Sequence, residues 1–142
     1  GAPHWKPEAR GVIWGHTRGT TRAHMARAVL EGIALQNVDI LKAMENDLGR
    51  PLVELKVDGG ACANNLLMQM QANFLDRKIV RPQMIETTAL GAALLAGLAA
   101  GIFDNLEDIR NTWQEDQSFV SEMDEDTREA QVSLWKQAVS RV

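Results

Sequence analysis

The sequence predicts an α/β fold in which a largely parallel sheet is flanked by helices. Apolar runs of strand length alternate with longer segments of helical periodicity, and glycine or proline separates most of them. Strands that alternate with helices favour parallel pairing, because each helix carries the chain back across the sheet. At 142 residues the chain is long enough for one domain with a hydrophobic core.

Three short apolar runs are predicted to be strands. Each is bounded by glycine or proline, residues that interrupt regular structure. The runs are Gly11–Gly15, Leu52–Val57 and Lys78–Arg81, the last of which is stopped by Pro82. Three strands form a thin sheet for so much helix, and the sequence begins abruptly in a loop-like segment. We therefore expect residues 1–142 to be one partial domain whose upstream half is missing.

The longest predicted helix runs from Ala23 to Leu48. Its apolar residues recur at helical spacing, and Gly49 followed by Pro51 is a typical helix stop. The predicted apolar face comprises Val29, Ile33, Ile40 and Met44, widened by Leu30 and Leu41. Either Thr20 or Thr21 can cap the start of the helix with its hydroxyl group.

Four more helices are predicted in the rest of the chain. They cover Asn64–Leu75, Thr87–Ala100, about Asn105–Trp113 and roughly Asp126–Val139. The first of them places Leu67, Met70 and Phe74 on one face. The second consists mostly of alanine, glycine and leucine and is ended by Gly101, so we expect it to pack closely against a sheet or another helix.

The net charge of −4 is concentrated in the second half of the chain. Seven acidic residues and a single arginine lie between Glu115 and Glu129. A protein that binds the phosphate backbone of nucleic acid needs a basic face, so this class is excluded. We expect the acidic stretch to be a solvated, mobile connection, with docking to a partner as the alternative. It lies in residues 102–142, which we expect to form a helical, acidic C-terminal extension.

Other bulk features narrow the protein class further. No apolar run is long enough to span a bilayer, and the first residues lack the basic and apolar blocks of a signal peptide. The only cysteine, Cys62, cannot form an internal disulfide. These features predict a cytoplasmic protein without membrane partners.

The segment Val57–Leu67, with the sequence VDGGACANNLL, raises a functional question. Gly59 and Gly60 follow a predicted strand and precede a helix, and in open α/β sheets ligands bind at the carboxyl ends of strands. Glycines allow a ligand to approach the backbone, and the amide groups at a helix start suit phosphate. Asn64 could hydrogen-bond a base or ribose, or could cap the helix.

A simpler interpretation of the same segment requires no ligand. A turn with positive φ at a glycine, followed by an asparagine cap, would explain the residues equally well. The segment is neither a G-x-G-x-x-G fingerprint nor a P-loop. The pattern by itself leaves both interpretations open.

No catalytic or metal-binding residue can be assigned from the sequence. His16 and His24 have no third ligand in view, and no pair of carboxylates stands at catalytic spacing. Cys62 lies in the glycine segment, where a helix start could lower its pKa. We expect it instead to be a small filler of the core.

Several stretches together resemble the C-terminal part of the FGGY carbohydrate kinase family, nearly from end to end. The matching stretches are Gly1–Ala2–Pro3 with Trp5 and Pro7, Ala9–Arg10–Gly11, Thr17–Arg18–Gly19, Arg27–Ala28 with Leu30–Glu31 and Ile33–Ala34, Val57–Ala61 with Ala63–Asn65, Thr88–Ala93, and Trp135–Lys136 with Ala138–Val139. The D-G-G-x-x-x-N element is shared widely in the family. The G-A-P-x-W-x-P-x-A-R-G opening is similar to that of members that phosphorylate glycerol.

The resemblance implies a ribonuclease H-like, actin-type ATPase domain and a kinase that uses ATP with Mg²⁺. It implies that Gly59, Gly60 and Asn64 belong to the adenosine-binding motif, with Gly60 allowing close approach and Asn64 a polar contact near the adenine. Glycerol would be bound by upstream parts, which also carry the phosphate loop and the catalytic base. The parent is expected to be a homo-oligomer, and this part to be inactive alone.

Two alternatives to a glycerol-specific enzyme remain. The first is an FGGY kinase for xylulose, ribulose or gluconate. The second is a non-catalytic interaction module. The acidic stretch and the absence of catalytic groups favour this alternative. The stretch Gln114–Ala130 differs from the family pattern, so a regulatory contact there is not implied.

Overall fold

A computed structural model describes residues 3–142, so Gly1 and Ala2 of the opening motif lie outside the described residues. Within these residues a small mixed sheet lies among five helices. The elements are α1 (Arg22–Leu48), β1 (Glu54–Lys56), a short 3₁₀-helix (Gly60–Ala63), α2 (Asn65–Leu75), β2 (Lys78–Pro82), α3 (Thr87–Ala99), α4 (Leu106–Asn111), β3 (Glu115–Phe119) and α5 (Glu125–Val139). No helix among the described residues is long and apolar enough to cross a membrane.

The sheet has the order β1-β2-β3, with β2 in the centre. β1 and β2 are parallel, and Leu55 stands opposite Ile79. β2 and β3 are antiparallel, with Ile79 opposite Phe119 and a bulge between Arg81 and Pro82. The expected parallel pairing is therefore confirmed for one pair of strands, whereas the other pair is antiparallel.

Helix α1 begins and ends where the sequence predicts. The Thr21 hydroxyl accepts a hydrogen bond from the His24 backbone N–H, and the Thr21 N–H donates to the His24 ring in return. The helix stops at Gly49, whose φ of 64° is left-handed. Such a conformation favours glycine because it carries no Cβ.

The buried residues of α1 share only Leu41 with the predicted face. Val29, Ile33 and Met44 are exposed, and the buried residues are Ala34, Leu35, Val38 and Leu41. This face packs against α2, whose Leu67, Met70 and Phe74 are all buried as predicted. The apolar residues of α1 lie on more than one face of the helix, so their spacing alone does not identify the face that packs against α2.

The predicted strand Gly11–Gly15 is wrong. These residues form neither strand nor helix, and the side chains of Val12, Ile13 and Trp14 are exposed. A strand needs a neighbour to accept its backbone hydrogen bonds, and no strand among residues 3–142 pairs with this segment.

The acidic stretch is ordered, so the expectation of a mobile connection is wrong. Its first part is β3, and its last part is the start of α5, where the Asp124 carboxylate accepts a hydrogen bond from the Thr127 N–H at 2.8 Å. Phe119 is the buried residue of β3 and belongs to the core. Residues 102–142 thus contain a strand as well as two helices.

Helix α3 forms as predicted but remains largely exposed. It ends with the Gly101 N–H donating to Leu98 O and the Ile102 N–H donating to Gly97 O, a Schellman arrangement. The side chains of Ala89, Ala92, Ala93 and Ala96 are exposed. The close packing expected for this helix is therefore absent from the described part of the chain, apart from Gly97 beneath Phe103.

Candidate functional site: the glycine turn

The glycine turn, defined as Asp58–Asn64, connects β1 to α2. It begins one residue after β1, the strand that pairs in parallel with β2, and contains the short 3₁₀-helix. The turn therefore lies at the carboxyl end of a parallel strand, where ligands of open α/β sheets bind. Gly59, Gly60 and Asn64 all lie in it, so the structure brings the three predicted site residues together.

The two glycines are required for different reasons. Gly59 has φ 79° and ψ 165°, a backbone conformation that only glycine adopts readily. Gly60 has no positive φ. A Cβ added there would meet no heavy atom of the described residues within 4 Å, apart from its own chain neighbours. Open space also surrounds glycines elsewhere, such as Gly91, so it becomes informative only together with the position at the end of β1.

Asn64 is the N-cap of α2. Its Oδ1 accepts a hydrogen bond from the Leu67 N–H at 3.1 Å. Among residues 3–142 we find no acceptor for its amide Nδ2. The side chain therefore has a structural role in the helix and retains a donor that a ligand can use.

Three contacts attach the turn to β2 and to the segment that follows it. The Gly59 N–H donates to Ile85 O at 2.8 Å. The Asp58 carboxylate accepts a hydrogen bond from the Thr87 hydroxyl at the start of α3. Arg81 Nη1 donates to the Cys62 carbonyl oxygen at 2.9 Å. The position of the turn thus depends on residues well downstream in the sequence.

Cys62 packs inside the turn and is 1% exposed. Burial raises the pKa of its thiol. The start of the helix therefore does not lower this pKa. The burial of the side chain in the core confirms the expectation of a small core filler.

A cleft of about 320 Å³ lies beside the turn. Asp58, Ala61 and Cys62 line it, together with side chains from α1, β1 and α2. Gly59, Gly60 and Asn64 are not among its lining residues. The three predicted residues thus present a surface rather than an enclosed pocket.

Arg81 is the polar residue of this region that the sequence analysis did not identify. Its side chain is 11% exposed and donates hydrogen bonds to the turn, to α2 and to β3. A single arginine before a proline carries no motif. Its importance follows from long-range pairing, which sequence spacing does not report.

The described residues contain no group of three or more His, Cys, Asp or Glu side chains arranged to hold a metal ion. His24 instead takes part in the cap of α1.

Comparison with protein families and known structures relates this geometry to other proteins. Residues 1–100 match the C-terminal domain of the FGGY family of carbohydrate kinases. The chain is 55% identical over 142 residues to a glycerol kinase from Bdellovibrio bacteriovorus, and 57% identical over 141 residues to one from Myxococcus xanthus. It covers 29% and 28% of these two relatives, so it spans less than a third of their length.

Solved structures give the same relationship. The chain is similar to a glycerol kinase from Plasmodium falciparum solved with ADP, with a TM-score of 0.86 and 39% identity over 99% of the chain and 28% of that structure. It is also similar to a ligand-bound xylulose kinase from Lactobacillus acidophilus, with a TM-score of 0.73 and 27% identity over 98% of the chain and 28% of that structure. The chain belongs to the FGGY family of carbohydrate kinases and corresponds to the C-terminal part of these enzymes, which share the actin-like ATPase fold.

Proposed function

We propose that this chain is the C-terminal part of an ATP-dependent glycerol kinase and forms one wall of its adenosine site. The parent enzyme transfers the γ-phosphoryl group of ATP to glycerol and produces sn-glycerol 3-phosphate. The observation that carries the proposal is the 55% identity to a glycerol kinase over the full 142 residues. The glycerol kinase solved with ADP has the same fold over 99% of this chain, which supports nucleotide use.

We propose that Gly59, Gly60 and Asn64 meet the nucleotide. Gly60 lets the nucleotide approach the backbone, since no other part of residues 3–142 occupies the space that its Cβ would take. Asn64 offers its amide Nδ2, because its Oδ1 already caps α2. Gly59 makes the turn possible through its backbone conformation. Positive φ and an asparagine cap are both present and need no ligand, so the family relationship supplies the argument for a nucleotide.

The remaining parts of the reaction belong to other residues of the parent. Mg²⁺ would be held at the phosphates, and phosphoryl transfer depends mainly on positioning and on charge stabilisation there. No residue of this chain is proposed as the base that accepts the glycerol proton. The isolated 142 residues are therefore expected to show no kinase activity, and glycerol turnover by them would contradict this. We place the reaction in the cytoplasm, where the free Cys62 would stay reduced, and expect the parent to be a homo-oligomer.

A panel of substrates with the full-length protein tests the proposal. ADP release is measured with glycerol, xylulose, ribulose and gluconate under identical ATP and Mg²⁺ concentrations. We expect selective turnover of glycerol. Selective turnover of another substrate would leave the proposed nucleotide site unchanged but would replace glycerol as the assigned substrate. The likeness to the xylulose kinase supports this alternative. Absence of turnover with all four would favour a non-catalytic interaction module.

A further inference from the structure

Arg81 connects three elements around the glycine turn. Its Nη1 donates to the Cys62 carbonyl oxygen at 2.9 Å and to Asn65 Oδ1 at 2.7 Å. On its other side Nε donates to Asp116 Oδ2 at 2.8 Å, and Nη2 donates to Gln117 Oε1 at 3.1 Å. A planar guanidinium group can bind several acceptors in fixed directions, which a lysine cannot do.

The two contacts towards the turn bracket Asn64. Cys62 lies near the end of the 3₁₀-helix, where carbonyl groups lack a partner within the helix. Arg81 supplies that partner. Asn65 is the first residue of α2, so the same Nη1 atom also fixes the start of this helix. The backbone that presents Asn64 is therefore held on both sides by one guanidinium group.

The contacts on the other side hold the guanidinium group in place. Asp116 lies 2.7 Å from Nη2, and this carboxylate balances the positive charge of a side chain that is 11% exposed. A mostly buried charge is costly unless it is paired, so the acidic residue of β3 makes this position of Arg81 possible. The ring of Phe119 lies 5.6 Å from the guanidinium carbon and packs against it.

We propose that Arg81 is a positioning residue for the nucleotide site. It holds Cys62–Asn65 in the geometry that the adenine nucleotide meets, and β3 holds Arg81. The inference rests on the proposed function of the turn. Arg81 acts through the turn rather than by touching the nucleotide. Its loss therefore weakens nucleotide binding and leaves the handling of glycerol unchanged.

Steady-state kinetics of the full-length protein test this inference. Arg81→Lys retains the charge but cannot bridge Cys62, Asn65 and Asp116 at once. We expect the KM for ATP to rise about three- to tenfold, as for the loss of one or two hydrogen bonds. The KM for glycerol and kcat should stay within about twofold of the wild-type values. Arg77→Lys is the matched control, since Arg77 is half-buried and paired to Glu45 but does not touch the turn.

A second variant tests the same contact without changing Arg81, so that a folding defect of Arg81→Lys does not decide the result. Asn65→Ala removes only the acceptor on α2, at an exposed helix position that alanine suits well. Its KM for ATP should rise in the same direction as that of Arg81→Lys. In the double variant the KM for ATP should be close to that of Arg81→Lys alone, because the one contact that Asn65→Ala removes is already lost in that variant.

Each outcome decides either the inference or the proposed function. An unchanged KM for ATP in both variants, with normal ATP turnover by the wild type, would overturn the role of Arg81 alone. Equal increases in the KM values for ATP and glycerol, or a matching effect of Arg77→Lys, would show a general structural role and also overturn it. A wild-type protein that binds no nucleotide would overturn the proposed function and the inference together.

Discussion

The glycine turn and the segment of residues 11–15 differ in how they are held, although both combine a short apolar run with glycines. The turn follows a strand that pairs with β2. Cys62 of the turn is hydrogen-bonded to Arg81 in β2, and Gly59 is hydrogen-bonded to Ile85 beyond it. Residues 11–15 pair with no strand among residues 3–142, and Ile13 is 61% exposed. The same local composition therefore gives a fixed surface in one place and an unpaired segment in the other.

The difference shows that a partner, not the apolar run itself, determines whether such a segment acquires a defined geometry. Backbone groups of a strand need acceptors and donors on a neighbour. β1 forms these hydrogen bonds with β2, and this pairing fixes the position of the turn that follows β1. A binding surface made mainly of backbone requires such fixation, because glycine side chains contribute no contacts of their own.

The largest effect of a substitution in the glycine turn is expected at Gly60. In Gly60→Val of the full-length protein a branched side chain fills the space in front of the turn, so we expect the KM for ATP to rise about tenfold or more, equivalent to about 1.4 kcal/mol. The fold has room for the side chain. Among the described residues, apart from Gly60 and its two chain neighbours, no heavy atom lies within 4 Å of a Cβ at this position. Thermal stability without nucleotide should therefore change little.

Gly60→Ala provides the graded control for that substitution. The smaller side chain should produce a smaller rise in the KM for ATP than valine does. If neither variant changed this KM while both remained folded, the nucleotide would not approach the turn at Gly60.

A smaller effect is expected at Asn64, where two roles must be separated. Asn64→Ala in the full-length protein should weaken the binding of ATP by about 0.5–1.5 kcal/mol, because one hydrogen bond is lost. It should also lower the stability by about 0.5–2 kcal/mol, because the cap of α2 is lost. Both the KM for ATP and the melting temperature are measured.

Asn64→Ser separates the two roles, since a serine hydroxyl can cap the helix but does not reproduce the amide donor. We expect it to retain most of the stability and still to raise the KM for ATP. A change in the KM for glycerol alone would argue against a nucleotide contact at Asn64.

The smallest effect concerns Glu45, which anchors the chain just before β1. Its carboxylate accepts a hydrogen bond from the Leu52 N–H at 2.9 Å and pairs with Arg77. These contacts, the Leu52 N–H first, lower the pKa of Glu45 below its ordinary value of 4.5. We expect Glu45→Gln to destabilise the protein at pH 7 by less than about 1 kcal/mol.

The pH dependence of this effect has a definite sign. Because folding lowers the pKa of Glu45, its contribution is fully present above pH 4.5 and is lost as the pH falls through the lower pKa of the folded state. The difference in melting temperature between Glu45→Gln and the wild type should therefore shrink as the pH falls below 4.5. A difference that stays constant from pH 7 to acidic pH would contradict this assignment.

Local signals in the sequence were sufficient to predict most helices and the turn on which the proposed site lies. Thr21 and Gly49 delimit α1 because capping and left-handed glycines depend on near neighbours. The turn at Gly59 and Gly60 could be predicted because it, too, depends on residues that are close in sequence. The position of these residues at the end of a parallel strand followed from the alternation of strands and helices.

Features that depend on distant partners were missed. β3 consists of Glu115, Asp116, Gln117 and Ser118 before Phe119, residues that do not suggest a strand without β2 beside them. The acidic charge of this strand is partly balanced by Arg81, which is 34 or more residues away from it in sequence. Such a pairing becomes visible only when the chain is folded.

Hydrogen–deuterium exchange of the full-length protein, with and without ADP, tests most directly whether the glycine turn is a nucleotide wall. We expect ADP to slow exchange in a peptide covering residues 57–66 and to leave a peptide covering residues 9–16 unchanged. Glycerol alone, as the control ligand, should not protect the turn. If ADP binds but leaves exchange at residues 57–66 unaltered, the nucleotide lies elsewhere and the central claim is wrong.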